Sequence, residues 1–398
     1  MELNGVKEMI DIGKKLLRPV WFEIDLDALR NNFEETRRLV GRDVKIICAL
    51  KCNAYGFGLL EVAKEVISMG AFGIAVADLF EAANLRKRGI EAPILLYPNN
   101  LSSTAETVIK YKLVPTVTNI ESAIEYSKHA TSPIDIFVKV DVGLTRAGVL
   151  PEEAVSLVEK LVKLENIFIA GIYTHPHFYQ DDDYVDWQLN KLKSVIRGLE
   201  SKGIKIPIKM AASTRFILQF PHTYLNTVDP GRLIFGNPVV PQARQQVVLK
   251  PVFRSLKARI IDKKMIRPRT KFKDHAPFPV SRDMLIGIIP IGWGDGYSRQ
   301  HSSVGQALVH GKRVSVLNGV SFEHTRIELT NVPEARIGDE VVLIGKQGDQ
   351  EITLEEVIKI RGTDLHEVCQ SIRNQVPYLY FKDGKPYKLK TPLGEIFC

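Results

Sequence analysis

Short apolar segments of strand length alternate with amphipathic segments of helical period between residues 45 and 231. The helical periodicity is clearest over residues 59–68, 78–88, 151–164 and 183–202. Strands that alternate with helices form parallel sheets, and eight such units close into a barrel. We therefore predict an α/β fold, a (β/α)8 barrel of the TIM type, with strands at 45–51, 73–77, 93–98, 114–117, 135–141, 167–175, 208–213 and 227–231.

The sequence changes character after Pro251, where short β-rich segments are broken by Gly, Pro and Asp. This pattern predicts a C-terminal all-β domain with strands at 253–262, 284–290, 306–310, 325–330 and 340–345 and helices only at 353–360 and 365–372. We place the barrel domain at 20–247 and the β-domain at 248–398. The strand at 21–25 would be a ninth, so we expect it to pair with the second domain.

Composition and charge exclude several classes of protein. The net charge of +8 is modest for 398 residues, and no nucleic-acid-binding motif accompanies the basic segments. No apolar run approaches the roughly 18 residues that a membrane-spanning helix requires. The N-terminus does not resemble a signal peptide, and the four cysteines form neither a C-x-x-C pair nor a zinc-binding spacing. We therefore expect a cytoplasmic protein without a metal site.

Lys51 ends the first predicted barrel strand and is followed by a glycine-containing loop. A lysine at the end of a buried strand is costly unless its ammonium is paired or neutralised. An amine with a lowered pKa in such a place can form a Schiff base with an aldehyde. The alternative is a structural lysine whose stem is buried and whose ammonium reaches solvent.

Other polar residues follow the later strands, at the end of the barrel where chemistry collects. These are Tyr55, Lys139, Arg146, His175, Ser213, Thr214 and Gly231. Backbone N–H groups after Ser213 and Gly231 are suited to a phosphate, as at helix N-termini. The set therefore indicates a site for a phosphate-bearing cofactor.

The same residues carry a resemblance to a known family. The matching segments are Trp21-Phe22-Glu23-Ile24-Asp25, Ala49-Leu50-Lys51-Cys52-Asn53-Ala54-Tyr55-Gly56, residues 139–148 (KVDVGLTRAG), Tyr173-Thr174-His175, Asp229-Pro230-Gly231 and residues 290–297 (PIGWGDGY). In this order they resemble the alanine racemases, fold-type III enzymes that depend on pyridoxal phosphate. The resemblance covers nearly the whole chain.

The resemblance implies a role for each matching residue. Lys51 would be the Schiff-base lysine, and His175 would lie against the pyridine ring of pyridoxal phosphate. Arg146 would lie near the phenolic oxygen of the cofactor. The phosphate contacts would come from Tyr55, Ser213 and Gly231, with Arg232 beside them. Lys139 matches a lysine that is often carbamylated in the family, or is an ordinary paired lysine.

Three positions depart from the family pattern. Asp229 stands where the family has an arginine facing the pyridine nitrogen, and a carboxylate there would keep that nitrogen protonated and stabilise a carbanion. The family's second acid–base, a tyrosine of the second domain, is replaced by Asp274 or His275, and histidine has the pKa nearer neutrality. Asn374 stands in place of a phosphate-contacting tyrosine.

We interpret the chain as a pyridoxal-phosphate-dependent amino-acid racemase. The resemblance also implies a homodimer in which the second domain of one subunit completes the active site of the other. Asp229 favours an alternative, a lyase or decarboxylase acting on the same bound substrate. A further alternative is a cofactor-binding protein without turnover. The substrate stays open, because its expected contacts fall where the match to the family is poorest.

Overall fold

The computed structural model describes residues 16–236, 244–268, 275 and 277–397. The chain forms two compact units: one spans Ala28–Lys250, and the other combines the residues up to Asp27 with those from Pro251 onward. The sequence analysis placed this boundary between residues 247 and 248. Strand β1 (Val20–Asp25) is followed directly by helix α1 (Leu26–Val40).

Eight parallel strands close into a barrel within the first unit, which confirms the predicted fold class. The last strand returns to the first through the pairs Lys45↔Thr227 and Ile46↔Val228. The strands are β2 (Lys45–Ala49), β3 (Gly73–Val76), β4 (Ile94–Leu96), β5 (Val114–Val117), β6 (Ile134–Lys139), β7 (Ile167–Tyr173), β8 (Ile208–Ser213) and β9 (Thr227–Asp229). The helices between them are α2 (Leu59–Ser68), α3 (Leu79–Lys87), α4 (Ala105–Lys110), α5 (Ile120–His129), α6 (Pro151–Leu161), α7 (Asp182–Ser201) and α8 (Thr214–Gln219).

The barrel interior is filled by alternate residues of its strands. One buried cluster contains Ile47, Ala75, Leu95, Phe137, Ala170, Tyr173, Ile208 and Met210. Gly171 makes room for the ring of Phe137, because a Cβ there would lie 2.5 Å from that ring. The packed interior leaves the loops at the carboxyl ends of the strands as the place for chemistry.

The second unit is rich in antiparallel strands. Its larger sheet has the order β14-β13-β16-β10-β1-β18-β19-β20, with β17 paired to β16, and a smaller sheet has the order β11-β12-β15. Strand β1 pairs antiparallel with β10 and parallel with β18. The strands are β10 (Phe253–Arg259), β11 (Asp262–Ile266), β12 (Met284–Ile289), β13 (Gln306–Val309), β14 (Lys312–Ser315), β15 (Thr325–Glu328), β16 (Glu340–Gln347), β17 (Gln350–Ile352), β18 (Tyr378–Lys382), β19 (Lys385–Thr391) and β20 (Gly394–Phe397).

Two helices, α9 (Leu354–Arg361) and α10 (Leu365–Ser371), lie where the sequence predicted helices. The predicted strand at 253–262 is divided into β10 and β11, and strands β14, β17, β18, β19 and β20 were not predicted. Strands β14 (KRVS), β17 (QEI) and β19 (KPYKLKT) lack a continuous apolar pattern, whereas β18 (YLYFK) has one that the prediction did not use. Among the described residues, no helix combines the length and the apolar character that crossing a bilayer requires.

Candidate active site

A cavity of about 810 Å³ lies at the carboxyl ends of the barrel strands. The described residues that line it all belong to the barrel unit. The cavity brings together ten of the residues that were selected from the sequence: Lys51, Tyr55, Lys139, Arg146, His175, Ser213, Thr214, Asp229, Gly231 and Arg232. Residues separated by up to 181 positions in the chain therefore share one site, as the ends of parallel strands allow.

Lys51 is followed by a left-handed turn. Cys52, Asn53, Ala54 and Tyr55 have φ values of 55°, 53°, 52° and 55°. Residues other than glycine rarely adopt such values, because the Cβ atom then crowds the following carbonyl. The turn replaces the end of the predicted strand 45–51, and it carries Lys51 and Tyr55 into the same cavity. Backbone strain of this kind persists only where the surrounding structure imposes it.

Glu81 supplies one of the contacts that hold this turn. Its carboxylate accepts a hydrogen bond from the backbone N–H of Asn53. The Asn53 side chain in turn accepts from the N–H of Leu59 at 2.9 Å, at the start of helix α2. Burial raises the pKa of Glu81, although its contact with Asn53 opposes that shift.

The two lysines of the cavity have lowered pKa values. Burial is the largest cause for Lys51, and the positive charge of Arg146 adds to it. The same two causes lower the pKa of Lys139. A lowered pKa increases the fraction of neutral amine, which is the form that acts as a base or attacks an aldehyde.

Asp229 is a buried carboxyl group at the end of β9, with an exposed fraction of 5%. Burial raises its pKa to about 7, although a hydrogen bond from Tyr97 and the charges of Lys51 and Lys139 oppose the shift. The Tyr97 hydroxyl donates to Asp229 Oδ2 at 3.2 Å. Asp229 Oδ1 is buried and has no hydrogen-bond partner on another described residue. An unsatisfied buried acceptor is costly, so the site suits a ligand that brings a hydrogen-bond donor to Oδ1.

His175 follows β7 and lines the cavity. Burial, assisted by the positive charges of Arg146 and Lys51, lowers its pKa to about 3. The imidazole is therefore neutral at neutral pH. A neutral ring can lie against an aromatic ligand without the cost of desolvating a charge.

His177 also lines the cavity, and the buried side chain of Gln188 fixes its tautomer. Gln188 Oε1 accepts from the His177 backbone N–H at 2.9 Å, while Gln188 Nε2 donates to the His177 carbonyl at 2.8 Å. These bonds identify Oε1 as the acceptor, so the contact of 3.2 Å with His177 Nδ1 requires a proton on Nδ1. Nε2 is consequently the basic nitrogen of this ring.

The turn that begins at Gly231 lies close to Tyr55. A Cβ on residue 231 would lie 2.5 Å from Tyr55 Oη, so glycine is required for this approach. The N–H of Gly231, expected to contact a phosphate, donates to Thr214 Oγ1 at 3.2 Å. The same hydroxyl accepts from the N–H of Leu233 at 3.1 Å.

Arg146 is presented by a loop that Asp141 organises. The Asp141 carboxylate accepts from the backbone N–H groups of Gly143, Thr145 and Arg146 at 3.0, 3.2 and 2.9 Å. These bonds leave the Arg146 guanidinium at the exposed rim of the cavity. The segment 139–148 therefore supplies both Lys139 and Arg146 to one wall.

The remaining predicted site residues belong to the β unit. His275 and Asn374 are exposed there, and Asp274 lies outside the described residues. Their proposed roles stay predictions that rest on the family resemblance.

Several residues of the cavity were not selected from the sequence, among them Tyr97, Tyr173, His177 and Arg215. Tyr97 and Tyr173 lie at the ends of barrel strands, so the rule that found Lys51 was sufficient to find them. His177 lies two residues beyond His175, in the loop that follows β7. Arg215 follows Ser213 by two residues, and its guanidinium stacks over the ring of Tyr179 at 4.5 Å.

Comparison with known proteins assigns both parts of the chain to one family. The model of the alanine racemase N-terminal domain matches residues 24–238, and the model of the C-terminal domain matches residues 253–380. Alanine racemase from Halothermothrix orenii is 35% identical over 374 residues, which are 93% of this chain and 98% of that protein. Alanine racemase from Methanococcus maripaludis is 34% identical over 369 residues, covering 91% of this chain and 98% of that protein.

Solved structures show the same architecture. Alanine racemase from Clostridium difficile has a TM-score of 0.86 and 29% identity, covering 95% of this chain and 100% of that chain. Alanine racemase from Bacillus anthracis, with bound L-Ala-P, has a TM-score of 0.85 and 28% identity over 95% of this chain and 99% of that chain. The chain therefore belongs to the alanine racemase family and is an amino-acid racemase.

Proposed function

We propose that this racemase uses pyridoxal phosphate held by Lys51, as its family does, to interconvert the enantiomers of a small amino acid. One observation carries the proposal: the Lys51 amine, with a lowered pKa, shares a cavity with the buried and incompletely satisfied carboxyl group of Asp229. The amine can bond to the aldehyde carbon of the cofactor, and the carboxylate can accept a hydrogen bond from a protonated ring nitrogen.

The residues of the cavity fit the chemical groups of this cofactor. Lys51 Nζ would bond to the aldehyde carbon, and Asp229 Oδ1 would accept from the ring nitrogen. His175 would lie against the ring, and Arg146 would lie near the phenolic oxygen. The phosphate would be held by a group that combines hydroxyl, backbone and guanidinium donors: Tyr55, Ser213, Gly231 and Arg232. When bound, the cofactor supplies an electron sink for the charge that proton removal leaves on the α-carbon.

Racemisation requires two proton-transfer groups, one for each face of the substrate. We propose Lys51 as one of them, because burial lowers the pKa of its amine and so increases the fraction that can accept a proton. The family resemblance proposes Asp274 or His275 of the β unit as the other. Either group would return a proton to the face opposite the one from which Lys51 removes it.

Alanine is the first substrate to test, because the relatives at 33–35% identity are named alanine racemases. The cavity of this chain also carries positively charged groups at its walls, including Arg146, Arg215 and Arg232. These charges would attract the carboxylate of any amino acid and the phosphate of the cofactor. A panel of amino acids is therefore needed to name the preferred substrate.

The decisive experiment incubates the holoenzyme in deuterated water with each member of that panel. We expect both enantiomers to form with deuterium on the α-carbon and with no loss of amino acid, and we expect Lys51→Ala to abolish the exchange. Loss of carbon dioxide or of the side chain would indicate the decarboxylase or lyase alternative that Asp229 favours. Bound cofactor without any exchange would indicate a protein without turnover.

We further propose a homodimer in a reducing compartment, the cytoplasm. The dimer follows from the family resemblance. Cys48, Cys52 and Cys369 form no disulfide in the described part of the chain, which is in keeping with reducing conditions.

A further inference from the structure

The half-buried Tyr97 and the buried Asp229 form a hydrogen-bonded pair between two separate barrel strands. Tyr97 directly follows β4, and its backbone N–H donates to the carbonyl of Val76 at 2.9 Å, which extends the ladder between β3 and β4. Asp229 is the last residue of β9. Their side chains meet through the bond of 3.2 Å from the Tyr97 hydroxyl to Asp229 Oδ2. Both partners are therefore mounted on regular strands, which hold side chains more firmly than loops do.

The direction of this hydrogen bond follows from the two groups. Burial and the neighbouring Asp229 hold the pKa of Tyr97 well above its usual range, so the phenol keeps its proton. The tyrosine is therefore the donor, and Oδ2 of the Asp229 carboxyl group is the acceptor. The bond occupies one carboxylate oxygen and leaves Oδ1 for another donor.

A second tyrosine supports the first. The ring of Tyr97 packs against the ring of Tyr173, with centroids 6.2 Å apart and planes at 42°. The Tyr173 hydroxyl and Thr116 Oγ1 share a hydrogen bond of 3.0 Å, and both residues are buried. This packing restricts the rotation of Tyr97, so its hydroxyl has little freedom to leave Asp229.

We propose that Tyr97 is a positioning residue that holds the Asp229 carboxylate with Oδ1 directed at the ring nitrogen of the bound cofactor. The proposal rests on the proposed function, because it requires a cofactor with such a nitrogen. Tyr97 touches Oδ2 and so acts through Asp229. The titratable groups that act on Asp229 or surround it are Lys51, Lys139, Tyr55, Tyr97 and Tyr173. Among these five, the Tyr97 hydroxyl has the hydrogen bond to the carboxylate.

The test compares two cofactors that differ only at the ring nitrogen. The dissociation constants of pyridoxal phosphate and of its 1-deaza analogue, which has C–H in place of the nitrogen, are measured on cofactor-free full-length protein. We expect the wild-type protein to prefer pyridoxal phosphate by at least tenfold, and Asp229→Asn to lose this preference. Tyr97→Phe should reduce the preference by about tenfold, the effect of losing one hydrogen bond to a charged group, while binding of the deaza analogue stays nearly unchanged.

The matched control is Tyr173→Phe, which removes the hydroxyl of the neighbouring buried tyrosine. Its preference between the two cofactors should equal that of the wild-type protein, because its hydroxyl contacts Thr116 and not Asp229. A Tyr97→Phe protein that keeps the full preference, or that binds both cofactors more weakly by the same factor, would overturn the proposal. The second result would mean that Tyr97 only fills space.

A second measurement keeps the proposal testable if Tyr97→Phe does not fold. Wild-type protein is loaded with pyridoxal phosphate that carries ¹⁵N in the ring, and the nitrogen chemical shift is followed between pH 6 and pH 9. We expect a protonated nitrogen throughout, and an unprotonated nitrogen at pH 7 would overturn the proposal.

Failure of the proposed function would give a different result, because the wild-type protein would then bind no pyridoxal phosphate or would exchange no α-hydrogen.

Discussion

At the scale of single residues, Asp229 is the group of the cavity on which the proposed contact with the ring nitrogen depends. Its carboxyl group is buried, its pKa is raised to about 7, and its nearest described hydrogen-bonding neighbour is the Tyr97 hydroxyl. Lys51 has the complementary shift, since burial lowers the pKa of its amine. Both shifts favour the neutral forms and therefore reduce the cost of desolvation while the site lacks its ligand.

The raised pKa of Asp229 predicts a stability that depends on pH. In unfolded protein the carboxyl group ionises near pH 4, whereas in folded protein it ionises near pH 7. Folding is therefore unaffected by this group below pH 4 and is increasingly disfavoured as the pH rises to 7. Each unit of this pKa shift corresponds to about 1.4 kcal/mol. The raised pKa therefore lowers the free energy of unfolding by a few kcal/mol above pH 7.

Asp229→Asn should remove this pH-dependent penalty from the cofactor-free protein. The free energies of unfolding of the two proteins are measured in urea at pH 5, 6, 7 and 8. We expect the free energy of unfolding of the variant to rise relative to that of the wild-type protein, by about 1.4 kcal/mol per pH unit between pH 5 and pH 7. The lowered pKa of His175 affects both proteins alike and cancels in the comparison. A constant difference across this range would contradict the assignment.

The left-handed turn after β2 is the element that gives the site its shape. It places Lys51 and Tyr55 on one cavity, although four successive residues have positive φ values that favour glycine. Such a turn is unstable by itself, so its surroundings must hold it. Glu81 of helix α3 contributes through its bond to the N–H of Asn53.

Glu81→Ala should loosen the turn and weaken the binding of pyridoxal phosphate by about tenfold, because a buried backbone donor loses its acceptor. Glu81→Gln is the matched control, since its amide oxygen can still accept from Asn53 at nearly the same volume. The dissociation constant of the cofactor and the melting temperature are measured for both variants. If the two variants lose the same amount of cofactor affinity, the charge of Glu81 matters and its hydrogen bond does not.

At the scale of the whole molecule, the barrel unit supplies the proposed cofactor-binding residues of the cavity, and the β unit carries the remaining candidates. The barrel contributes Lys51, His175 and Asp229. Asp274, His275 and Asn374 belong to the other part of the sequence. In the proposed homodimer, the β unit of one subunit would act on the barrel of its partner.

This arrangement predicts complementation between two inactive proteins. A Lys51→Ala chain and a chain with both Asp274→Ala and His275→Ala are each expected to be inactive as homodimers. When the two are refolded together, half of the dimers should be mixed, and each mixed dimer should contain one intact site. We expect roughly a quarter of the wild-type racemase activity, as for a twofold-symmetric dimer with shared sites. Activity no higher than that of the separate variants would argue against shared sites.

The sequence by itself determined the order of the elements. The alternation of apolar strands and amphipathic helices predicted all eight strands of the barrel, because a closed parallel sheet buries its strands on both faces and leaves a strong apolar signal. The strand-end rule also found Lys51 and His175, whereas Asp229 was selected because it departs from the family pattern. Strands β14, β17 and β19 gave no comparable apolar signal and were missed, as were the short β20 and the apolar β18.

Tertiary structure decided the contacts between distant residues. Tyr97 and Asp229 are 132 positions apart, and no local pattern links a tyrosine after one strand to an aspartate at the end of another. Closure of the barrel brings those strand ends together, and burial then raises the pKa of the carboxyl group. The left-handed turn after Lys51 could not be predicted from the sequence either. Its residues are not glycines, and only surrounding contacts hold their backbone at positive φ. Sequence therefore fixes which residues reach the cavity, while packing determines their conformation, their partners and their charge.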